Sequence, residues 1–245
     1  MFTERSSNWV NAAFVIAVGL VLSSFIFGWF FAKSRRGDDS VTVTGSAKKR
    51  IKSDLVVWSA DVSYQASQIA DAYTRLSGDI PKVRQYLISK GVAENQITVS
   101  AITTTTLKRT DSNGNETGEI TGYVLKQSLE VRSNEVEKIA AIARQATELI
   151  NQGVMVESSA PKFYFTGIGD LKVEMLGEAA SDAKARAVKI ASSTGDSIGA
   201  VKNARMGVMQ VTAADSTDVS DYGIYDTSTI DKDVTAVVNI SFAVN

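Results

Sequence analysis

Hydrophobic and polar positions divide this chain into one long apolar run and an alternating body. From Trp9 to Ala32 there are 24 residues without a charge, which at about 1.5 Å per residue gives roughly 36 Å of helix, enough to cross a hydrocarbon core of about 30 Å with some tilt. The run exceeds the apolar stretch of about 7–15 residues expected in a cleaved signal peptide. Met1–Asn8 offers only Arg5 beside Glu4, and a cut after Ala32 would place bulky Phe30 where a small residue is wanted. The pattern therefore predicts a tail over 1–8, an uncleaved transmembrane helix over 9–32, a linker over 33–40 and a folded body over 41–245. Trp9 and Trp29 suit the membrane interface, with Lys33, Arg35 and Arg36 as a phosphate-facing flank. Gly19-x-x-x-Ser23 and Ser24-x-x-x-Gly28 set small residues one turn apart, which lets two such helices approach closely.

Beyond the linker the period switches repeatedly between two and 3.6. Val41–Gly45 and Leu55–Tyr64 read as strands. Ile69, Tyr73, Leu76, Ile80, Val83 and Leu87 form one helical stripe that Gly91 ends, with Pro81 predicting a kink near Gly78 or a restart capped by Asp79. Ile97–Lys108 and Ile120–Arg132 follow as two strands joined by Arg109–Glu119, whose Asp-Ser-Asn-Gly-Asn core is turn chemistry. Asn134-x-x-Glu137 resembles a capping box opening a helix over Val136, Ile139, Ala143, Ala146 and Ile150, closed by Asn151-Gln-Gly153. Val154–Thr166 reads as a strand. A long helix then runs from an Asp170 cap to Gly195 along Leu171, Met175, Ala179, Ala183, Ala187 and Ile190. Ala200–Ala213 and Val234–Val244 complete the body as strands around a polar insertion. Hairpins intermixed with three main helices argue an α+β fold with mixed or antiparallel sheet.

Composition narrows the chemistry. The 245 residues contain neither Cys nor His, which removes disulfides, thiol nucleophiles, imidazole bases and the usual zinc constellations. Met1–Gly37 holds four basic residues and one acidic residue, so the body keeps 22 Lys and Arg against 26 Asp and Glu, a net charge of −4. That balance argues against a nucleic-acid surface.

Several segments carry a family likeness in their order and spacing. They are Val-Thr-Val-Thr-Gly-Ser-Ala from Val41, Ser53-Asp54-Leu55, Ile120-Thr121-Gly122-Tyr123, the Ala-rich helix Ala179–Ala187 and the final Thr235–Phe242 strand. Together they resemble the SIMPL-domain family of bacterial envelope proteins, over nearly all of Val41–Asn245. The resemblance implies an α+β domain of periplasmic or membrane-anchored proteins, ring-like or channel-like homo-oligomers, a link to envelope or oxidative stress, and no established catalytic activity. Pro81 and the Asp-rich insertion depart from the family pattern, so lateral contacts made there are not carried over.

Candidate sites each have a plainer structural reading. Gly167-Ile168-Gly169 lies between a strand and a helix, but Lys172 stands where a dinucleotide fingerprint needs its third glycine. Ser46-x-x-Lys49 and Ser181-x-x-Lys184 have the spacing of a Ser/Lys pair without its companion motifs. Asp111–Asn115 begins like a calcium loop, yet Glu116 and Gly122 replace the required Gly and Glu. Asp215, Asp218, Asp221 and Asp226 are dense enough to offer oxygen ligands to a hard cation; the plainer readings are a solvated loop, or one ordered only by a neighbouring subunit. No catalytic residue and no cofactor is assigned.

The sequence thus leads us to expect a single-pass protein of the bacterial inner membrane, partnered by the bilayer and by copies of itself, acting as a scaffold rather than an enzyme. Expected oligomer contacts are Tyr222 and Tyr225 in the Asp-rich segment, and Asn113 and Gly114 at the hairpin tip. Lys33, Arg35 and Arg36 by themselves point the body toward the cytoplasm, whereas the family resemblance places it in the periplasm, which we adopt. The alternatives are an envelope module binding a small ligand or polypeptide in a groove of the sheet, and a carboxylate-based hydrolase.

Overall fold

The computed structural model describes residues 5–35 and 39–245, with side chains described for 13–31 and 39–245. Helix α1 (Arg5–Arg35) contains the apolar stretch Ala13–Phe31, long and apolar enough to serve as a membrane anchor or a signal sequence. Its described side chains are exposed on every side, so no face is reserved for a soluble core. Trp29 lies in this stretch, whereas the side chains of Trp9, Lys33 and Arg35, and Arg36 with the rest of the linker to Asp38, lie outside the described residues.

The chain divides into two compact units. The first comprises Met1–Ala47, Leu176–Gly207 and Val237–Asn245. Its sheet has the order β1 (Ser40–Lys52), β10 (Asp231–Val244), β8 (Ile198–Met206). β10 and β8 are antiparallel, with Asn239 opposite Arg205 and Ser241 opposite Asn203. β1 also runs against β10, since the Val244 N–H donates to the Asp39 carbonyl at 3.2 Å while the Thr42 and Ser241 hydroxyls meet at 2.7 Å. Alternation buries Val43, Gly45, Val238, Ile240 and Phe242 on one face. Helix α4 (Ile168–Thr194) brings Ala179, Ala183, Ala187 and Ala191 to that face. The approach at Gly45 is so close that an added Cβ would lie 2.6 Å from Ala183 Cβ and closer still to the helix backbone, so glycine is needed for contact rather than for its dihedrals. β1, α4 and β10 each contribute residues to both units.

The second unit comprises Lys48–Met175 and Val208–Ala236. β2 (Leu55–Ala66) lies at the centre of its antiparallel sheet, flanked on one side by β5 (Glu116–Ser133). β3 (Ile97–Val99) and β4 (Thr103–Thr110) pair with the far edge of β5. β6 (Val156–Ser158) and β7 (Lys162–Tyr164) pair with the other edge of β2. Against the sheet pack α2 (Ile69–Ser89) and α3 (Val136–Gln145), the latter continuing as a 3₁₀ turn over Ala146–Gln152. The core gathers Trp58, Leu76, Leu87, Leu129, Ile139 and Leu149. β9 (Gln210–Ala213) pairs with the start of β10, Thr212 opposite Asp233.

The structure corrects several expected boundaries. α2 continues through Pro81 as one helix, and Asp79, instead of capping a restart, is buried against the Tyr64 hydroxyl and ion-paired to Lys82 at 2.7 Å. Its buried stripe uses Ala72, Leu76, Val83 and Leu87, while Ile69 and Tyr73 are exposed. The predicted strand Val154–Thr166 breaks into β6 and β7 around Pro161, which has no N–H to give a ladder. Ile97–Lys108 likewise breaks at Ser100, whose hydroxyl accepts the Ser128 N–H at 3.0 Å. Ala200–Ala213 divides at Gly207 into β8 and β9. α3 starts after Glu135, not after an Asn134 cap, and α4 begins at Ile168, leaving Asp170 in its first turn. Ile190 is exposed and Ala191 takes its place inside.

Candidate functional site

The Asp-rich insertion begins and ends on adjacent strands, β9 and β10, so its ends are fixed by a ladder before any side chain is considered. Successive strand residues point to opposite faces, yet Lys232 and Asp233 are both buried, at 0% and 2% exposure. Each therefore needs its own counter-ion. Asp233 receives Arg50 as a fork, Nε to Oδ1 at 2.9 Å and Nη2 to Oδ2 at 3.1 Å, together with Lys48 Nζ at 3.0 Å and the Asp215 N–H at 2.9 Å. The Arg50 guanidinium and the Asp215 N–H hold its carboxyl far below the ordinary aspartate range, and Asp233 and Asp215 in turn raise Arg50. Asp215 takes φ 64°, a left-handed conformation that Asp tolerates, with its amide aimed at Asp233 and its carboxylate also accepting from Arg50.

Lys232 donates to Asp226 Oδ2 at 3.0 Å and to the Thr229 carbonyl at 2.6 Å. Burial pushes the Asp226 carboxyl up, but the Ser228 and Thr229 hydroxyls and Lys232 outweigh it and leave the group well below its usual value. The hydroxyl contacts are 2.6 Å from Ser228 Oγ and 2.5 Å from Thr229 Oγ1. Asp226 thus closes the base of the loop around a buried ammonium.

Between these two anchors the backbone is also tied. Val211 N–H donates to Ile224 O and Asp226 N–H to Val211 O, both at 2.8 Å, and Gln210 Nε2 donates to Ser220 O at 2.7 Å. Gly223 has φ +86°, and a Cβ there would stand 2.7 Å from Val208 Cγ1, so both backbone conformation and space require glycine. Held this way, Val219 is 83% and Tyr222 98% exposed. Tyr225, 45% exposed, instead bridges to Val211 as part of the loop base. The two tyrosines expected together therefore differ in position: Tyr222 is presented outward and Tyr225 supports it.

The four aspartates proposed for a cation are spread along this framework. Asp215 serves Arg50, Asp218 accepts from Ser216 Oγ at 2.9 Å, Asp226 serves Lys232, and Asp221 stands beside Tyr222. Among the described residues no three His, Cys, Asp or Glu side chains are grouped as metal ligands. Asn113 and Gly114 occupy a separate exposed tip, where Asp111 Oδ1 accepts the N–H of Asn113 at 2.8 Å and of Asn115 at 2.9 Å, a hairpin turn and not a calcium loop. Ser46 donates its backbone N–H to Asp182 at 2.9 Å while Lys49 pairs with Glu174 at 2.6 Å, so these two do not form a nucleophile and base. Ser181 lies on α4 among exposed positions, and Ile168 begins that helix. The basic run is answered throughout by carboxylates, with Lys52 on Glu137 at 2.5 Å and Lys48, Lys49 and Arg50 paired as above.

Two hollows lie on the body's surface. One, of about 480 Å³, lies over the polar face of the first unit beside Thr42, Asn203, Arg205, Val237, Asn239 and Ser241. The other, of about 550 Å³, lies in the second unit along α2. Neither is lined by a carboxylate.

Sequence reasoning singled out Tyr222, which the structure exposes, but missed Arg50, Lys232 and Asp233 as the foundation of its loop. The available signal was the Asp-Lys-Asp triplet leading directly into the alternating strand from Val234. No curated protein matches the chain. The profile of the SIMPL family, described as protein of unknown function (DUF541), matches residues 41–242. That match spans the strands, the alanine helix and the Asp-rich loop alike, and the chain belongs to the SIMPL family.

Proposed function

We propose that this chain is a single-pass protein of the bacterial inner membrane whose SIMPL body stands in the periplasm and self-assembles beside the bilayer, as a stress-linked scaffold rather than an enzyme. The observation that supports this reading is the Val219–Tyr222 tip. A buried ion-pair framework holds two apolar side chains in water, where a purely solvated loop would need neither the framework nor the exposed ring. Copies anchored in one plane share orientation and a raised effective concentration, so modest side-to-side contacts multiply into a stable assembly. The test is the protein mass of the full chain in detergent, by light scattering corrected for bound detergent. A mass of several chains is expected, and a single chain per micelle at all concentrations would overturn the reading. Alkaline phosphatase fused after Asn245 is expected to be active, and an inactive fusion beside a fluorescent cytoplasmic one would reverse the orientation.

A second reading, an envelope module that binds a small ligand or polypeptide, is favoured by the hollow over Thr42, Asn239 and Arg205. Asn203, Arg205 and Asn239 are exposed there. Isothermal titration with candidate envelope polymers separates the two, since a binding module gives saturable heat without any change in assembly mass.

A further inference from the structure

The outward tip has a counterpart in the same unit. The hollow along α2 is lined by Pro81, Lys82, Gln85, Tyr86, Ser89 and Gln152, the last from the 3₁₀ turn. Pro81 and the Tyr86 ring supply apolar wall. Lys82 is its only charged lining residue, and although its ammonium donates to Asp79 at 2.7 Å, the Lys82 side chain stays 55% exposed at the rim. Lys90 adds a second ammonium 5.2 Å from the Tyr86 ring centroid, offset by Glu148 at 3.6 Å. The tip carries the complementary set. Val219 and Tyr222 project, flanked by Asp218 and Asp221, and neither carboxylate has an ion pair among the described residues. The hollow has a volume of about 550 Å³, and a tyrosine seated in it would take about 150–250 Å² of surface out of water.

Resting on the self-assembly reading, we infer that the Val219–Tyr222 tip of one copy seats in the α2 hollow of a second copy, with Asp218 and Asp221 meeting the Lys82 rim. An aromatic ring between carboxylates cannot pair with itself to equal advantage, because two such tips would bring like charges together. A lysine-rimmed wall of proline and tyrosine is the complementary surface. Tip and hollow are different patches, so the contact is heterologous, and a pair of copies keeps one free tip and one free hollow. Repetition in the plane of a membrane extends the array until rotation closes it into a ring. The tip needs little reorganisation on docking, because the Asp233 and Asp226 anchors already fix it.

The absence of cysteine makes the seating directly testable in the full chain in its membrane. Thr217, at the edge of the tip, and Gln85 are both exposed, so Thr217→Cys and Gln85→Cys leave Val219 and Tyr222 in place and disturb no core. The double variant, oxidised with copper phenanthroline, is expected to give a ladder of cross-linked chains beyond the dimer. Each single variant is expected to remain uncrosslinked, and an equal mixture of the two to stop at the dimer. Dimers from Thr217→Cys alone would show tip meeting tip and overturn the proposal. So would a cross-linked band whose mass is not a multiple of this chain, which would reveal another protein in the hollow. Loss of the ladder while an amine-reactive cross-linker still joins wild-type chains would refute this seating and leave self-assembly standing. No product with either reagent would remove both.

Discussion

Removing the Asp226 carboxylate is the most informative perturbation of the site, because Lys232 beneath it has no exposed surface. In Asp226→Ala the ammonium keeps only the Thr229 carbonyl at 2.6 Å, and the donors of Ser228 and Thr229 lose their shared acceptor. Leaving one member of a buried ion pair without its partner costs about 3–5 kcal/mol. Lys232→Met removes the buried charge instead, while Asp226 retains four donor groups from Ser228 and Thr229 and some contact with solvent. That variant should lose only about 1.5–3 kcal/mol, the scale of hydrogen bonds to a charged group. The double variant should then cost less than the sum of the singles by about 2 kcal/mol, within the range of measured couplings between contacting residues. The assay is urea unfolding of a chain lacking residues 1–36, in which Trp9 and Trp29 are gone and Trp58 is the sole tryptophan. Trp58 lies in the second unit's core, 1% exposed, so its fluorescence follows the unit that carries the loop. With slopes of about 1–3 kcal/mol per molar urea for small domains, Asp226→Ala should lower the midpoint by roughly 1–5 M. A loss under about 1 kcal/mol, or a coupling near zero, would show that the pair does not hold the loop.

Deleting residues 1–36 should itself release a soluble, folded body, checked by circular dichroism and by the blue-shifted emission of buried Trp58. Gly45→Ala should destabilise by about 1–3 kcal/mol through overpacking against α4, whereas Gly177→Ala on the same helix, with open space at its Cβ, should be neutral or stabilising in the same thermal melt. Asp226 and Asp233 both have depressed folded values, so their contribution is fully present above the unfolded aspartate value of about 3.9 and is lost as pH falls through the folded values. Urea midpoints at pH 7 and pH 5 should therefore be similar and that at pH 3 much lower, with Asp226→Asn showing a shallower acid loss.

What the sequence made legible were features written in local period. The alanine ladder Ala179–Ala183–Ala187 marked the face of α4 on its own, and Gly91 at φ +83° ended α2 where the pattern stopped. Tyr73 misled because a tyrosine counts as apolar in a stripe, although Ala72 beside it lets the helix lie closer to the sheet. Pro161 broke a strand that its neighbours otherwise described well. The foundation of the site was hidden for another reason. Arg50 and Asp233 are 183 residues apart, and the Asp233 carboxylate can be buried only once β1 and β10 have brought the half-exposed Arg50 to it. Lys232 and Asp226 looked like ordinary surface charge, since nothing in their local spacing reveals burial.

The central claim is that assembly resides in the SIMPL body and that the membrane helix adds alignment. The mass of the detergent-solubilised full chain, compared between Tyr222→Ala and the pair Gly19→Leu with Gly28→Leu, tests it most directly. Small-residue packing of membrane helices makes close pairs, not large arrays. Tyr222→Ala should shrink the assembly while the glycine variants leave its mass unchanged, and the opposite result would make α1 the assembly element and the exposed tip a bystander.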